Sequence, residues 1–94
     1  MRREIVLKLE KRRDKLKTFG VKEIGLFGSY AENRQKRGSD IDFLVTFKKI
    51  NSDDYFKLLF YLENLFRRKV DLVIKRDLRP ELNYVKKEAI YVKI

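Results

Sequence analysis

With 94 residues, 44% hydrophobic and 40% charged, the chain has the length of one domain, enough apolar material for a core and a densely charged surface. It contains neither cysteine nor histidine, which excludes disulfides, thiolate metal sites, cysteine nucleophiles and imidazole bases. A general base must then be a carboxylate or a rarer group, and any metal must be held by oxygen, which favours hard cations such as Mg²⁺ or Mn²⁺. The net charge of +10 attracts polyanions such as nucleic acid, nucleoside triphosphates or an acidic protein, although abundant Lys, Arg and Glu also accompany adaptation to heat.

Taken in chain order, Arg3 to about Thr18 has helical spacing, with Ile5, Leu9 and Leu16 on one face and Gly20 as the stop. Val21 to Phe27 alternates as a strand and runs into Gly28-Ser29, a sharp turn that leads to a short helix from about Tyr30 to Asn33. Arg34 to Ser39 is a basic loop. It opens onto a strand, Asp40 to Phe47, with Ile41, Phe43 and Val45 on one face and Asp42, Leu44 and Thr46 on the other. Ser52 is the expected N-cap of a helix reaching about Phe66, with Phe56, Leu59, Phe60 and Leu62 as its buried stripe. Val70 to Ile74 is a third strand with Asp71 facing away from Val70, Leu72 and Ile74, and Pro80 opens a final helix to about Ala89. No repeat, low-complexity tract or linker interrupts this order, so residues 1–94 are expected to form a single domain. The apolar runs fall well short of the roughly 20 residues that span a bilayer, and the basic amino terminus lacks the apolar stretch of a signal peptide. A soluble, cytoplasmic protein without a membrane association is expected.

Asp40 and Asp42, two apart on a strand, leave the same face about 6.6 Å apart at the backbone. They can converge on common cations, as a two-metal phosphoryl-transfer site requires. Asp71 can be brought beside them by a neighbouring strand. Three carboxylates on one face repel unless a cation neutralises them, although Asp71 could equally form an ion pair with a nearby Lys or Arg. Gly28-Ser29 suits a phosphate cradle, because glycine admits close backbone approach and a helix start favours anions. Ser29-Tyr30-Ala31-Glu32 also matches a capping box, with Ser29 as cap and Glu32 reaching back.

Gly28-Ser29-Tyr30-Ala31 followed by Gly38-Ser39-Asp40-Ile41-Asp42-Phe43-Leu44-Val45 resembles the signature of the polymerase-beta-like nucleotidyltransferase superfamily. In size the chain is most similar to the minimal nucleotidyltransferases of the MntA type, antitoxin partners of HEPN-domain ribonucleases. The resemblance implies an α/β fold, a small mixed sheet of three or four strands flanked by helices, with the site at one sheet edge. It implies that Gly28 and Ser29 contact the triphosphate of ATP, that Asp40 and Asp42 bind metal (two Mg²⁺ ions, with Mn²⁺ as substitute), and that Asp71 is the third metal-site carboxylate and activates the acceptor hydroxyl. The implied reaction moves AMP from ATP to a hydroxyl, a Tyr of the HEPN toxin, and silences it. Family members often carry Arg directly after the Gly-Ser-x-Ala run, where this chain has Glu32; Arg34, Lys36 or Arg37 could supply the charge, or be solvated loop cations.

Two other readings remain at this level. The chain could neutralise its partner by cover alone, its carboxylates being remnants of an ancestral site, and Glu32 supports that version. A nucleic-acid-binding module rests on net charge alone, and exposed aspartates argue against it as the main activity. Phe56 and Phe60 are expected in the core rather than as base-stacking platforms, whereas nothing in the spacing of Tyr84 and Tyr91 separates packing from a partner interface.

Overall fold

The computed structural model describes all residues, Met1–Ile94, as a four-stranded mixed sheet in the order β3-β2-β1-β4 with helices packed on it. The strands are β1 (Val21–Phe27), β2 (Ile41–Phe47), β3 (Val70–Ile74) and β4 (Ile90–Lys93). The helices are α1 (Arg2–Lys11), α2 (Arg13–Thr18), α3 (Gly28–Ala31), α4 (Ser52–Phe66) and α5 (Asn83–Glu88). Two 3₁₀ turns, Lys75–Asp77 and Pro80–Leu82, carry the chain from β3 to α5. β1 pairs antiparallel with both β2 and β4, while β2 and β3 run parallel. A parallel pair needs a long crossover, and α4 supplies it. No helix is long and apolar enough to cross a membrane.

The core forms where the strands' apolar faces meet the helices. Ile5, Leu9 and Leu16 from the amino-terminal helices, Ile24 and Leu26 from β1, Phe43 and Val45 from β2, Leu72 from β3 and Leu58 and Leu62 from α4 make one buried cluster. The continuous helix expected from Arg3 to Thr18 is interrupted at Arg12 (φ −108°, ψ 21°), and the two segments still deliver their apolar residues to one core.

Three further expectations are corrected. The cap of α4 is Asn51, not Ser52: its side chain accepts from the Asp54 N–H at 2.8 Å and its amide donates back to the Asp54 carboxylate at 2.9 Å, so both ends of the cap are satisfied. The buried side of α4 is Leu58 and Leu62, with Tyr55, Leu59, Tyr61 and Phe66 beside them; Phe56 and Phe60 are 51% and 62% exposed. This helix is apolar on more than one side, and the stripe with more partners on the sheet wins: Phe66 meets Phe43 with centroids 5.8 Å apart, and the Tyr55 hydroxyl donates to the Leu72 carbonyl at 2.6 Å. Finally, the last residues form β4, which the final-helix reading left unassigned; Val92 buries against the core as β4 pairs with β1.

Candidate active site

The site begins where β1 ends. Phe27 is extended (φ −136°, ψ −175°) and Gly28 then turns the chain at φ 74°, a conformation that carries a steric cost for any residue with a β-carbon. There is a second reason for glycine here. A β-carbon at Gly28 would collide with the Asp42 carboxylate, lying 2.9 Å from its Cγ. The register explains the encounter, since Phe27 is the cross-strand partner of Asp42, and the turn just past Phe27 is folded down onto that carboxylate.

α3 is a single turn that begins at Gly28, two residues earlier than the sequence suggests. Buried Tyr30 and Ala31 anchor it, and Arg2 reaches across from α1 to donate to the Ala31 carbonyl at 2.8 Å. The capping-box reading of Ser29 does not hold. Phe27 occupies the cap position, Ser29 lies inside the turn, and Glu32 pairs with Arg34 at 2.6 Å instead of reaching back. Arg34 is therefore already neutralised by Glu32, while Lys36 and Arg37 are exposed on the loop.

The loop into β2 is set by local bonds. The Lys36 N–H donates to the Ser39 hydroxyl at 2.8 Å, and the Ile41 N–H to the Lys69 carbonyl at 3.0 Å. Asp40 is exposed just before β2, and Asp42 is half-buried inside it. In the parallel pairing Asp42 stands directly beside Asp71. The charges of the three carboxylates meet at Asp42, whose pKa is raised to about 6, first by burial, then by Asp71, then by Asp40. Burial, and then the charge of Asp71, push the Tyr55 hydroxyl above its usual range. Asp71 takes part in none of the chain's ion pairs, so its ion-pair reading finds no support.

The three aspartates are electrostatic neighbours without being drawn together as ligands of one ion. Coulomb repulsion acts beyond bonding distance, and side chains of like charge splay apart. As donors they are hard oxygens carrying excess negative charge, which is the chemistry a divalent hard cation answers. The site occupies the end of the sheet, across inner strands β1 and β2 and edge strand β3, and is not confined to one edge. A cleft of about 240 Å³ opens beside Gly28 between α3 and α5, walled by Phe27, Ala31, Leu82 and Tyr84. Sequence reading had no signal for this cleft, because its walls come from segments more than fifty residues apart. Arg68 holds its guanidinium 5.9 Å from the Tyr30 ring, at the back of α3.

A glycine turn pressed on an Asp-x-Asp strand, with a third aspartate on the parallel neighbour, gathers backbone open to close approach and hard oxygen donors at one end of the sheet. The chain belongs to the nucleotidyltransferase domain family, whose model matches residues 7–92. It is 45% identical over 76 residues to the protein adenylyltransferase MntA of Thermococcus cleftensis, covering 79% of this chain and 77% of that protein. Among solved structures it is similar to a minimal nucleotidyltransferase (33% identity, TM-score 0.72), covering 90% of this chain and 93% of the other. A toxin–antitoxin complex with AMP-PNP matches at 27% identity and TM-score 0.66, over 89% of this chain and 70% of that one. The complex of tri-AMPylated Shewanella oneidensis HEPN toxin with MNT antitoxin matches at 26% identity and TM-score 0.55, over 82% of this chain and 61% of that one.

Proposed function

We propose that this chain is an antitoxin that transfers AMP from ATP to a hydroxyl, a tyrosine, of a HEPN-domain toxin in the cytoplasm and so silences it. The observation that carries the reading is the contact of Gly28 with Asp42, which joins the phosphate-binding turn to the carboxylates. The similarity to the protein adenylyltransferase MntA and to the antitoxin complexed with tri-AMPylated HEPN toxin supports the same direction.

In this reading Gly28 and Ser29 bind the triphosphate, the turn's freedom from side-chain bulk allowing close approach. Asp40, Asp42 and Asp71 would hold Mg²⁺, or Mn²⁺ in its place, whose chemistry is to offset phosphate charge as it shifts toward the leaving group. Asp71, on the exposed edge strand, is open to the partner's side chain and takes the proton of the incoming hydroxyl. That oxygen bonds to the α-phosphorus, the bond from that phosphorus to the bridging oxygen breaks, and pyrophosphate departs. Positioning and charge carry most of such a transfer. The test is mass spectrometry of the cognate toxin after incubation with the protein, ATP and Mg²⁺. The expected result is a gain of one or more AMP units, and an unmodified toxin beside a modified positive control overturns the reading.

A second reading has one specific observation in its favour: the Glu32–Arg34 pair withdraws the loop cation nearest the turn. A catalytically weakened antitoxin that acts by binding alone predicts that the Asp40→Asn, Asp42→Asn protein still suppresses toxicity in full.

A further inference from the structure

The longest helix leaves its bulkiest outer residues uncovered. Phe56 and Phe60 lie one turn apart on the outward side of α4, their ring centroids 6.3 Å apart and their planes inclined by 28°. Burial of Leu58 and Leu62 fixes this orientation, because turning the phenylalanines inward would expose the leucines. Adjoining exposed aromatics at the centre of a helix face mark an interaction surface.

The charges around the pair say what covers it. Counted outward from Phe60 in the two directions along the helix, Lys57 and Glu63 stand at equal distances, and so do Asp53 and Arg67. Each couple is of opposite sign; Asp53, Lys57 and Glu63 fall on the side of α4 that carries Phe60, and Arg67 is the left-handed residue that closes the helix. A face built this way is complementary to itself after a half-turn, which is the requirement for an isologous contact. We propose that the outer face of α4 is a self-association surface on which a second copy of this chain docks antiparallel. Phe60 sits on the two-fold axis, Lys57 meets Glu63 of the second copy, and Asp53 meets Arg67 of the second copy.

Three observations fit this occupant. The Glu63 carboxylate is held in place by accepting the Val70 N–H at 3.1 Å, so it is ordered before docking. A net charge of +10 resists self-association in general, but on this face Asp53 and Glu63 balance Lys57 and Arg67, so two copies meet where the overall positive charge is locally cancelled. The residues of α4 that face the sheet meet the side bearing Phe43 and Leu72, opposite Asp42 and Asp71, so docking leaves both carboxylate sites open. A single pair of 15-residue helices gives a contact at the low end of interface sizes, and the dimer is accordingly weak and reversible.

The test is sedimentation velocity of the full chain from low to high micromolar concentration. The expected result is a monomer–dimer equilibrium that Phe60→Glu weakens by at least about tenfold and Asp53→Arg by about tenfold. The double exchange Asp53→Arg, Arg67→Asp recovers most of the wild-type affinity. Phe60→Cys, the only thiol in the chain, forms a disulfide dimer on mild oxidation. Circular dichroism verifies that each variant is folded. The proposal is overturned by a wild type that stays monomeric at the highest concentration, by a dimer indifferent to Phe60→Glu, or by a charge exchange that recovers nothing. It is also overturned if Phe60→Glu leaves the mass of the isolated chain unchanged and instead abolishes binding of the HEPN toxin, which would assign the face to that partner.

Discussion

One face of the sheet carries two polar regions that are built in opposite ways. At one end Asp42, Asp71 and Asp40 bring like charges together with no cationic partner, and burial raises the cost further. Toward the other end Glu23 pairs with Lys75 at 3.3 Å, the Lys75 ammonium lies 4.3 Å from the centre of the Tyr91 ring, and the Tyr91 hydroxyl donates to the Lys86 carbonyl. Glu23 and Lys75 answer each other there. Burial alone would lower the Lys75 pKa, but its bonds to Glu23 and Tyr91 reverse the effect and raise it. The contrast teaches where folding was satisfied and where it was compromised. A cluster of like charges left without a cationic partner is the candidate place for something the domain binds.

The largest expected effect tests that contrast directly. Asp42→Asn should lower AMP transfer on the order of 10³-fold while raising the melting temperature of the ligand-free protein, since it removes a half-buried charge that two neighbours repel. After allowance for solvent screening the gain is about 1 kcal/mol, read by calorimetry. A variant that loses both activity and stability would mean that Asp42 is a structural residue. Asp71→Asn should slow transfer by roughly 10²-fold or more in single-turnover kinetics, as expected of a carboxylate that serves both the metal and the incoming proton.

Gly28→Ala sharpens the comparison from the other side of the contact. The strained φ and the encounter with Asp42 should cost about 1–3 kcal/mol by chemical denaturation and weaken ATP binding, whereas a substitution that left both unchanged would separate the turn from the carboxylates. Arg2→Ala removes the donor to Ala31 and should cost about 1 kcal/mol with a rise in KM for ATP larger than the fall in kcat. The smallest effect belongs to the satisfied end: Glu23→Gln should cost about 0.5–1 kcal/mol and leave transfer at the wild-type rate. A Glu23 variant that damaged transfer would erase the distinction between the two ends.

Much of this was legible in the chain before any coordinates. The alternation of Ile41, Phe43 and Val45 gave the central strand and put Asp42 on the other face, and the Val70, Leu72, Ile74 pattern did the same for Asp71. The glycine turn stood out because few residues other than glycine tolerate such a φ. Other features were hidden for identifiable reasons. Ser29 matched a capping box in sequence, but the strand hands over to the turn one residue earlier, so Phe27 became the cap position. Phe56 and Phe60 match a buried stripe as well as Leu58 and Leu62 do; only the position of β3 beneath the helix selects between them. β4 is four residues long, and its status depends on β1 having a free edge to receive it.

The sequence by itself determined local matters: which segments alternate, where the chain must turn, and that imidazole and thiol chemistry are excluded because no histidine or cysteine is present. Only the tertiary structure decided the pairings, the placement of Asp71 beside Asp42, the collapse of the Gly28 turn onto that carboxylate and the bond from Arg2 to Ala31. The physical reason is that periodicity and backbone sterics act over a few neighbouring residues. Strand register and charge repulsion act between residues that only the packed core brings together.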